Sequence, residues 1–271
     1  MQAVFLDKGT FSEGIDLPAP RGVSDYITYN DTPKDTAVII ERCKDADIII
    51  TNKVQIGAEV IEQLPKLKLI QLTATGMNNV DQAACDKHGV ALFNVAGYAV
   101  KSVPEHTFML MLNAMRAGIH YHQKVADGTW LANGNFCLLD IPLIDLEDKT
   151  LGIIGIGTIG KRVTEIARAF GMTVLWAEHQ EREPRSDDYT AFDEVLARAD
   201  VISLHCPLNE QTEHLINKGT LAKMVKQPII VNVARGGIVD SQALTDAINS
   251  EQILGYASDV FEQEPIADND P

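Results

Sequence analysis

The sequence that decides the fold is KTLGIIGIGTIGKRVTEIARAFGMTVLWAE, residues 149–178. Residues 151–154 form a short apolar run of the kind that a buried parallel strand shows. Apolar residues then recur at helical spacing, and Gly171 stands where a helix commonly ends in a left-handed residue. Residues 172–177 are a second apolar run. This order predicts a strand–helix–strand unit with parallel strands.

Three glycines follow the first of these strands in G-x-G-x-x-G spacing: Gly155, Gly157 and Gly160. Glycines at this spacing allow a tight turn, close approach of a pyrophosphate to the helix N-terminus, and close packing of helix on strand. Glu178 follows the second strand, where a carboxylate can accept hydrogen bonds from ribose hydroxyls. A glycine triplet alone is weak evidence. Because the strands, the helix and the acid accompany it here, the stretch predicts dinucleotide binding.

Composition excludes several other classes of protein. The 271 residues suffice for one large or two ordinary domains, and the net charge of −15 argues against nucleic-acid or anionic-membrane surfaces. No apolar run approaches the ~18 residues of a membrane span, and no secretory signal is visible. The four cysteines are widely spaced without C-x-x-C, which favours neither a zinc site nor a disulfide framework. We therefore expect a reducing compartment, the cytoplasm, and no metal.

Alternating strands and helices extend over the rest of the chain, which predicts an α/β protein with two doubly wound parallel-sheet domains. We place these domains at residues 1–98 and 99–271. The predicted strands are 3–6, 48–51, 67–72, 90–93, 201–205, 229–232 and 253–258, and the predicted helices between them are 36–43, 58–64, 82–88, 192–199 and 241–249.

The sequence at the start of the second domain predicts a buried helix. Ser102 and Glu105 have capping-box spacing, and residues 107–115 are apolar nearly all round. Residues 118–148 are less regular, and we interpret them as an extended arm that contacts a second subunit.

Polar clusters follow three of the predicted strands, at 205–207, 232–237 and 259–265. Ligands of doubly wound sheets bind at the carboxyl ends of the strands. In the second cluster, Arg235 offers a planar fork that can bind a carboxylate or polarise a keto oxygen. It could equally pair with a neighbouring domain.

The acids of the last cluster leave a similar choice. Asp259 and Glu264 could hold a nicotinamide carboxamide and support a proton donor, or they could be solvated loop acids. His205 and His106 are interpreted as structural or surface residues. In the first domain, residues 74–81 could bind an anion through backbone N–H groups, or could be an ordinary capping turn.

Together these motifs resemble the D-isomer-specific 2-hydroxyacid dehydrogenase family over essentially the whole chain. Within that family they are most similar to glycerate dehydrogenases, also called hydroxypyruvate reductases. The motifs are TGMNNVD (75–81), SVPEH (102–106), GIGTIG (155–160), WAEH (176–179), LHCPL (204–208), NVARG (232–236) and DVFEQEP (259–265).

The resemblance implies a flavodoxin-like substrate domain and a Rossmann NAD-binding domain. It also implies an NAD-dependent oxidoreductase that reduces hydroxypyruvate to D-glycerate and forms a homodimer through the NAD-binding domain. The same resemblance allows two alternatives: a reductase of glyoxylate or another 2-keto acid, and a non-catalytic protein that senses NAD(H).

The resemblance also assigns roles to residues. Arg235 would bind substrate, Glu264 would pair with a catalytic histidine, and Thr75 and Gly76 would face the substrate carboxylate. Glu178 would favour NAD, since a 2′-phosphate beside it would meet like charge. The implied NAD-binding residues are Gly155, Gly157, Thr158, Ile159, Gly160, Glu178, His205, Cys206, Pro207, Val233, Ala234, Arg235 and Asp259.

One part of the family pattern is missing. The family's catalytic histidine lies in a Pro-His segment beyond the glutamate that matches Glu264, and no residue of this sequence matches it. The helix that completes the family's first domain is not matched either. We therefore expect a fragment or a natural truncation, and expect these 271 residues alone to be poorly active because general acid catalysis is typically worth ~10²–10⁴ in rate.

Overall fold

The computed structural model describes all 271 residues. Contacts within the chain divide it into two compact units, residues 1–98 and 99–271. Each unit is built on its own parallel sheet. None of the helices combines the length and the apolar character needed to cross a membrane.

The first unit has five parallel strands. Their order in the sheet is the flavodoxin-like order, with the second strand at one edge, then the first, third, fourth and fifth. The strands are β1 (Gln2–Phe5), β2 (Asp25–Thr28), β3 (Ile48–Thr51), β4 (Leu69–Leu72) and β5 (Ala91–Phe93), and the helices are α1 (Thr36–Cys43), α2 (Ala58–Glu62) and α3 (Gln82–His88), with a short 3-10 helix at Lys8–Thr10.

The second unit has six parallel strands: β6 (Thr150–Ile154), β7 (Thr173–Ala177), β8 (Tyr189–Thr190), β9 (Val201–Leu204), β10 (Ile229–Asn232) and β11 (Gly255–Ser258). The order β11-β10-β9-β6-β7-β8 is that of a Rossmann sheet, so the predicted fold class is confirmed. Its helices are α4 (Ser102–Arg116), α5 (Gly118–Ala126), α6 (Thr129–Asn133), α7 (Thr158–Ala169), α8 (Phe192–Arg198), α9 (Lys218–Leu221) and α10 (Ser241–Asn249), with a 3-10 helix at Gly236–Ile238. A further 3-10 helix, Tyr98–Val100, includes the last residue of the first unit and the first two of the second.

Alternation along the strands explains why this sheet is covered on both faces. Successive strand residues point to opposite faces, and Ile230 and Val231 of β10 accordingly join two different apolar clusters. One cluster contains Met111 of α4 and Val163 of α7. The other contains Val195 of α8 with residues of α10. Both faces are therefore buried, as the near-continuous apolar strands predict.

Three local predictions were wrong. The residue that caps α4 is Lys101, without a side-chain hydrogen bond, so Ser102 does not form a capping box. The helix is buried along one face only, since Met111 is fully buried and Met109 is 46% exposed. Residues 118–133 of the expected irregular arm are mostly helical, in α5 and α6.

Candidate functional site

Polar and glycine-rich segments follow five neighbouring strands of the second unit at their carboxyl ends. Because all six strands are parallel, these segments meet at one edge of the sheet. They begin at Gly155 after β6, Glu178 after β7, His205 after β9, Val233 after β10 and Asp259 after β11.

Two glycines of the fingerprint are required by packing. Gly155 has φ +98°, and a Cβ there would lie 2.4 Å from the backbone nitrogen of Cys206. A Cβ on Gly160 would lie 2.5 Å from the carbonyl oxygen of Gly155. Both distances are far below any normal contact, so only glycine allows the turn to pack against β9 and α7 to pack against the turn.

The middle glycine is different, because a Cβ on Gly157 would meet no atom within 4 Å. Gly157 is also the N-cap of α7 and provides no side-chain cap, so the first N–H groups of the helix, including those of Thr158 and Ile159, have no side-chain acceptor. Free N–H groups and the positive end of the helix dipole suit an anion. An open backbone at this helix end fits a pyrophosphate.

A cavity of about 660 Å³ adjoins this turn. Glu178 lies in its wall and is only 3% exposed. Hydrogen bonds from the Arg185 side chain, together with backbone N–H groups of His179 and Arg185, hold the pKa of Glu178 far below its usual range despite burial. The carboxylate is therefore ionised at all physiological pH values. Other residues in the wall include Gly155, Gly157, His205, Cys206 and Pro207.

Two titratable side chains of this cavity are electrically neutral at pH 7. Desolvation lowers the pKa of His205 to about 4, and its Nε2 lies 2.8 Å from Oγ of Ser203. Burial raises the pKa of the Cys206 thiol to about 11. A neutral imidazole and an un-ionised thiol suit an adenosine-binding wall rather than acid–base or nucleophilic chemistry.

Arg235 is presented by a turn that a buried amide fixes. The side chain of Asn232 donates a hydrogen bond to the carbonyl of Arg235 at 2.9 Å and accepts one from the N–H of Ala234 at 3.0 Å. The guanidinium donates one hydrogen bond, to the carbonyl of Ala234 at 2.6 Å, and has no carboxylate within 4 Å. It is therefore available to bind an anion through its fork.

The acidic loop 259–264 lies directly against this turn. A Cβ on Gly236 would fall 1.9 Å from the carbonyl carbon of Phe261, so the close approach of the two segments depends on glycine. Glu264 is exposed, accepts a hydrogen bond from the N–H of Phe261 at 3.3 Å, and has no histidine within 4 Å of its carboxylate. The fold thus places Arg235, Asp259 and Glu264 on adjoining segments.

The side chain of His106 is 39% exposed, and its Nε2 lies 3.2 Å from Oδ2 of Asp259. The Nε2 atom itself is buried and makes no hydrogen bond. The two residues are distant in the sequence, and a histidine within a helical pattern gives no sign of such a partner. The proximity of His106 to Asp259 results from the packing of α4 against β11, which the sequence does not show.

Thr75 and Gly76 belong to the first unit, in the loop after β4. The hydroxyl of Thr75 donates to the carbonyl of Val95 at 2.9 Å. The helix that follows is α3, and the carboxylate of Asp81 already caps it by accepting the N–H of Ala84 at 2.9 Å. The helix N-terminus is thus occupied by Asp81, and an anion at this loop would depend on the loop backbone instead.

Comparison with known proteins agrees with this arrangement. The family described as "D-isomer specific 2-hydroxyacid dehydrogenase, NAD binding domain" matches residues 108–271. A hydroxypyruvate reductase of Blautia hydrogenotrophica is 36% identical, covering 100% of this chain and 86% of the relative. A glycerate dehydrogenase of Methylorubrum extorquens is 38% identical over 98% of this chain and 83% of its own.

A solved structure of a glyoxylate reductase from Paecilomyes thermophila is similar with a TM-score of 0.80 at 28% identity, covering 99% of this chain and 84% of the other. The chain belongs to the D-isomer-specific 2-hydroxyacid dehydrogenase family and is an oxidoreductase with an NAD-binding domain.

Proposed function

We propose that this chain is a D-2-hydroxyacid dehydrogenase that reduces hydroxypyruvate to D-glycerate with NADH. The observation that carries the proposal is the position of Arg235: it follows β10, an interior strand of the sheet, is partly buried, and has no carboxylate partner. A guanidinium fork without a partner, beside a cofactor site, suits a small 2-keto acid. The names of the relatives, hydroxypyruvate reductase and glycerate dehydrogenase, describe the two directions of this reaction.

The roles follow from the chemistry of each group. Arg235 binds the carboxylate and polarises the keto oxygen. Asp259, which lies 3.2 Å from Nε2 of His106, accepts a hydrogen bond from the nicotinamide carboxamide. NADH supplies the hydride when it is bound, and the protein positions and polarises.

The rest of the cofactor site is assigned to residues at the strand ends. Glu178 accepts hydrogen bonds from the ribose hydroxyls, and the N–H groups at Gly157 and the start of α7 bind the pyrophosphate. His205, Cys206 and Pro207 form the adenosine wall, while Val233 and Ala234 line the nicotinamide end.

Glu264 is assigned a supporting role. Beside a histidinium, its carboxylate would keep the imidazole pKa high enough to protonate the developing alkoxide. None of the seven histidines of the chain has its ring within 4 Å of Glu264. We therefore propose that residues 1–271 alone bind NADH and substrate better than they turn them over.

Glyoxylate is the alternative substrate, since a glyoxylate reductase has a similar structure. A protein that only senses NAD(H) is disfavoured, because it would have no use for an unpaired Arg235 beside the acids of loop 259–264.

The test is a dead-end complex that needs no turnover. D-glycerate is titrated calorimetrically into NADH-saturated protein, in which no hydride can be transferred. We expect saturable binding that requires NADH, weakened about 10- to 100-fold by Arg235→Gln through loss of charged hydrogen bonds. Arg198→Gln is the matched control, because Arg198 is half-exposed and pairs with Glu194 on α8. NADH binding without any D-glycerate binding would overturn the proposal.

We also propose that a second copy of the chain covers the segment 119–143. Phe136 is 94% exposed and Leu131 86% exposed, and several other large apolar side chains of this segment are also exposed. Such a concentration of apolar surface marks an interaction site. Sedimentation should give twice the chain mass of 29.7 kDa, and Leu131→Glu with Phe136→Glu should return a monomer. A monomeric wild type would contradict this.

The four cysteines are free thiols, which supports a cytoplasmic location for the protein.

A further inference from the structure

Glu178, the acid assigned to the ribose, is already saturated with hydrogen bonds. Its Oε1 accepts the N–H of His179 at 2.8 Å and one guanidinium N–H of Arg185. Its Oε2 accepts the backbone N–H of Arg185 at 2.9 Å and the Nε–H at 2.7 Å. A carboxylate offers about four acceptor positions. A ribose hydroxyl can therefore bond to Glu178 only where the Arg185 side chain withdraws.

The Arg185 side chain has room to move from Glu178 toward the ring of Tyr189. It is half-exposed, lies in the irregular segment between β7 and β8, and its guanidinium carbon is 4.5 Å from the ring centre of Tyr189. Stacking on Tyr189 would keep the guanidinium in the same cavity after it left Glu178. The two backbone hydrogen bonds to Glu178 would remain.

The charges facing this part of the cavity are mixed. Arg182 and Arg185 line it together with Glu178 and Glu181, while His179 adds a titratable ring. Glu178 alone would repel a 2′-phosphate, but its charge is matched at contact distance by Arg185. A guanidinium fork binds phosphate oxygens as readily as carboxylate oxygens.

We propose that Arg185 is a cofactor-specificity residue, which neutralises Glu178 and offers its fork to a 2′-phosphate, so that the chain binds NADPH as well as NADH. This inference rests on the proposed cofactor site. It changes the expectation from Glu178 alone, which is that the site favours NAD over NADP.

The test measures dissociation constants for NADH and NADPH by nucleotide fluorescence, without substrate. For the wild type we expect NADPH to bind no more than about tenfold more weakly than NADH. Arg185→Gln should leave the dissociation constant of NADH within about threefold and raise that of NADPH at least about tenfold, which is the loss of one charged hydrogen-bonding pair. Arg198→Gln is again the matched control.

A second variant separates specificity from folding. Arg185→Lys keeps the positive charge without the bidentate fork, and should fall between the wild type and Arg185→Gln in NADPH affinity. The thermal midpoint of each variant shows whether the fold is kept. NADH binding with the NADPH-to-NADH ratio unchanged in Arg185→Gln would overturn the role of Arg185 alone. Binding of neither nucleotide by the wild type would overturn the cofactor site and this inference together.

Discussion

Gly155→Ala is expected to destabilise the second unit by about 3 kcal/mol or more. Alanine at φ +98° is strained, and its Cβ would overlap the backbone nitrogen of Cys206 at 2.4 Å. By contrast, Gly157→Ala should change the free energy of unfolding by less than about 1 kcal/mol, because no atom lies within 4 Å of its Cβ position. Urea unfolding of both variants measures the difference.

Comparison of Gly155→Ala with Gly157→Ala also distinguishes effects on folding from effects on cofactor binding. The methyl group of Gly157→Ala would stand in the open space at the N-terminus of α7, where the pyrophosphate is assigned. We expect NADH affinity to fall at least about tenfold in this variant although its fold is intact. Wild-type NADH affinity in Gly157→Ala would show that the pyrophosphate does not bind at this turn.

Added imidazole is expected to raise hydroxypyruvate-dependent NADH oxidation by residues 1–271. Glu264 has no histidine beside it in this chain, and general acid catalysis is typically worth ~10²–10⁴ in rate. Imidazolium next to the Glu264 carboxylate can supply part of that factor. The initial rate, followed by NADH absorbance, should therefore rise with imidazole concentration at constant pH and ionic strength.

Glu264→Gln provides the control for this rescue. The amide has nearly the same shape but cannot stabilise an imidazolium by charge, so the variant should bind NADH normally and lose most of the rescue. Glu262→Gln on the same loop is a matched comparison, since Glu262 pairs with His214 at 2.6 Å. A fast rate without imidazole, or equal rescue in Glu264→Gln, would contradict the role assigned to Glu264.

Elements with strong patterns could be predicted from the sequence. Residues 36–43, 48–51, 82–88 and 229–232 were predicted with the bounds that the structure gives, because caps, Gly89 and buried apolar runs mark their ends. The strands β2 and β8 were not predicted. Both are edge strands with partly exposed residues, so no buried run or clean alternation marks them.

The position of the cavity was also predictable, since parallel strands must bring their carboxyl ends to one edge of the sheet. The contacts between individual side chains at this end of the sheet could not be predicted. The ion pair of Glu178 with Arg185 and the approach of His106 to Asp259 depend on loop conformation and on helix packing, respectively. Neither leaves a spacing pattern in the sequence. The requirement for glycine at position 236 likewise depends on the path of the chain at Phe261.

The most direct test of the central claim is kcat/KM for hydroxypyruvate, glyoxylate and pyruvate with NADH, measured for residues 1–271 in saturating imidazole. The account predicts keto-acid-dependent oxidation of NADH, highest for hydroxypyruvate and reduced at least about 10²-fold in Arg235→Gln. A higher value for glyoxylate or pyruvate would contradict the proposed substrate. NADH binding with no oxidation by any of the three acids would contradict the proposed enzyme.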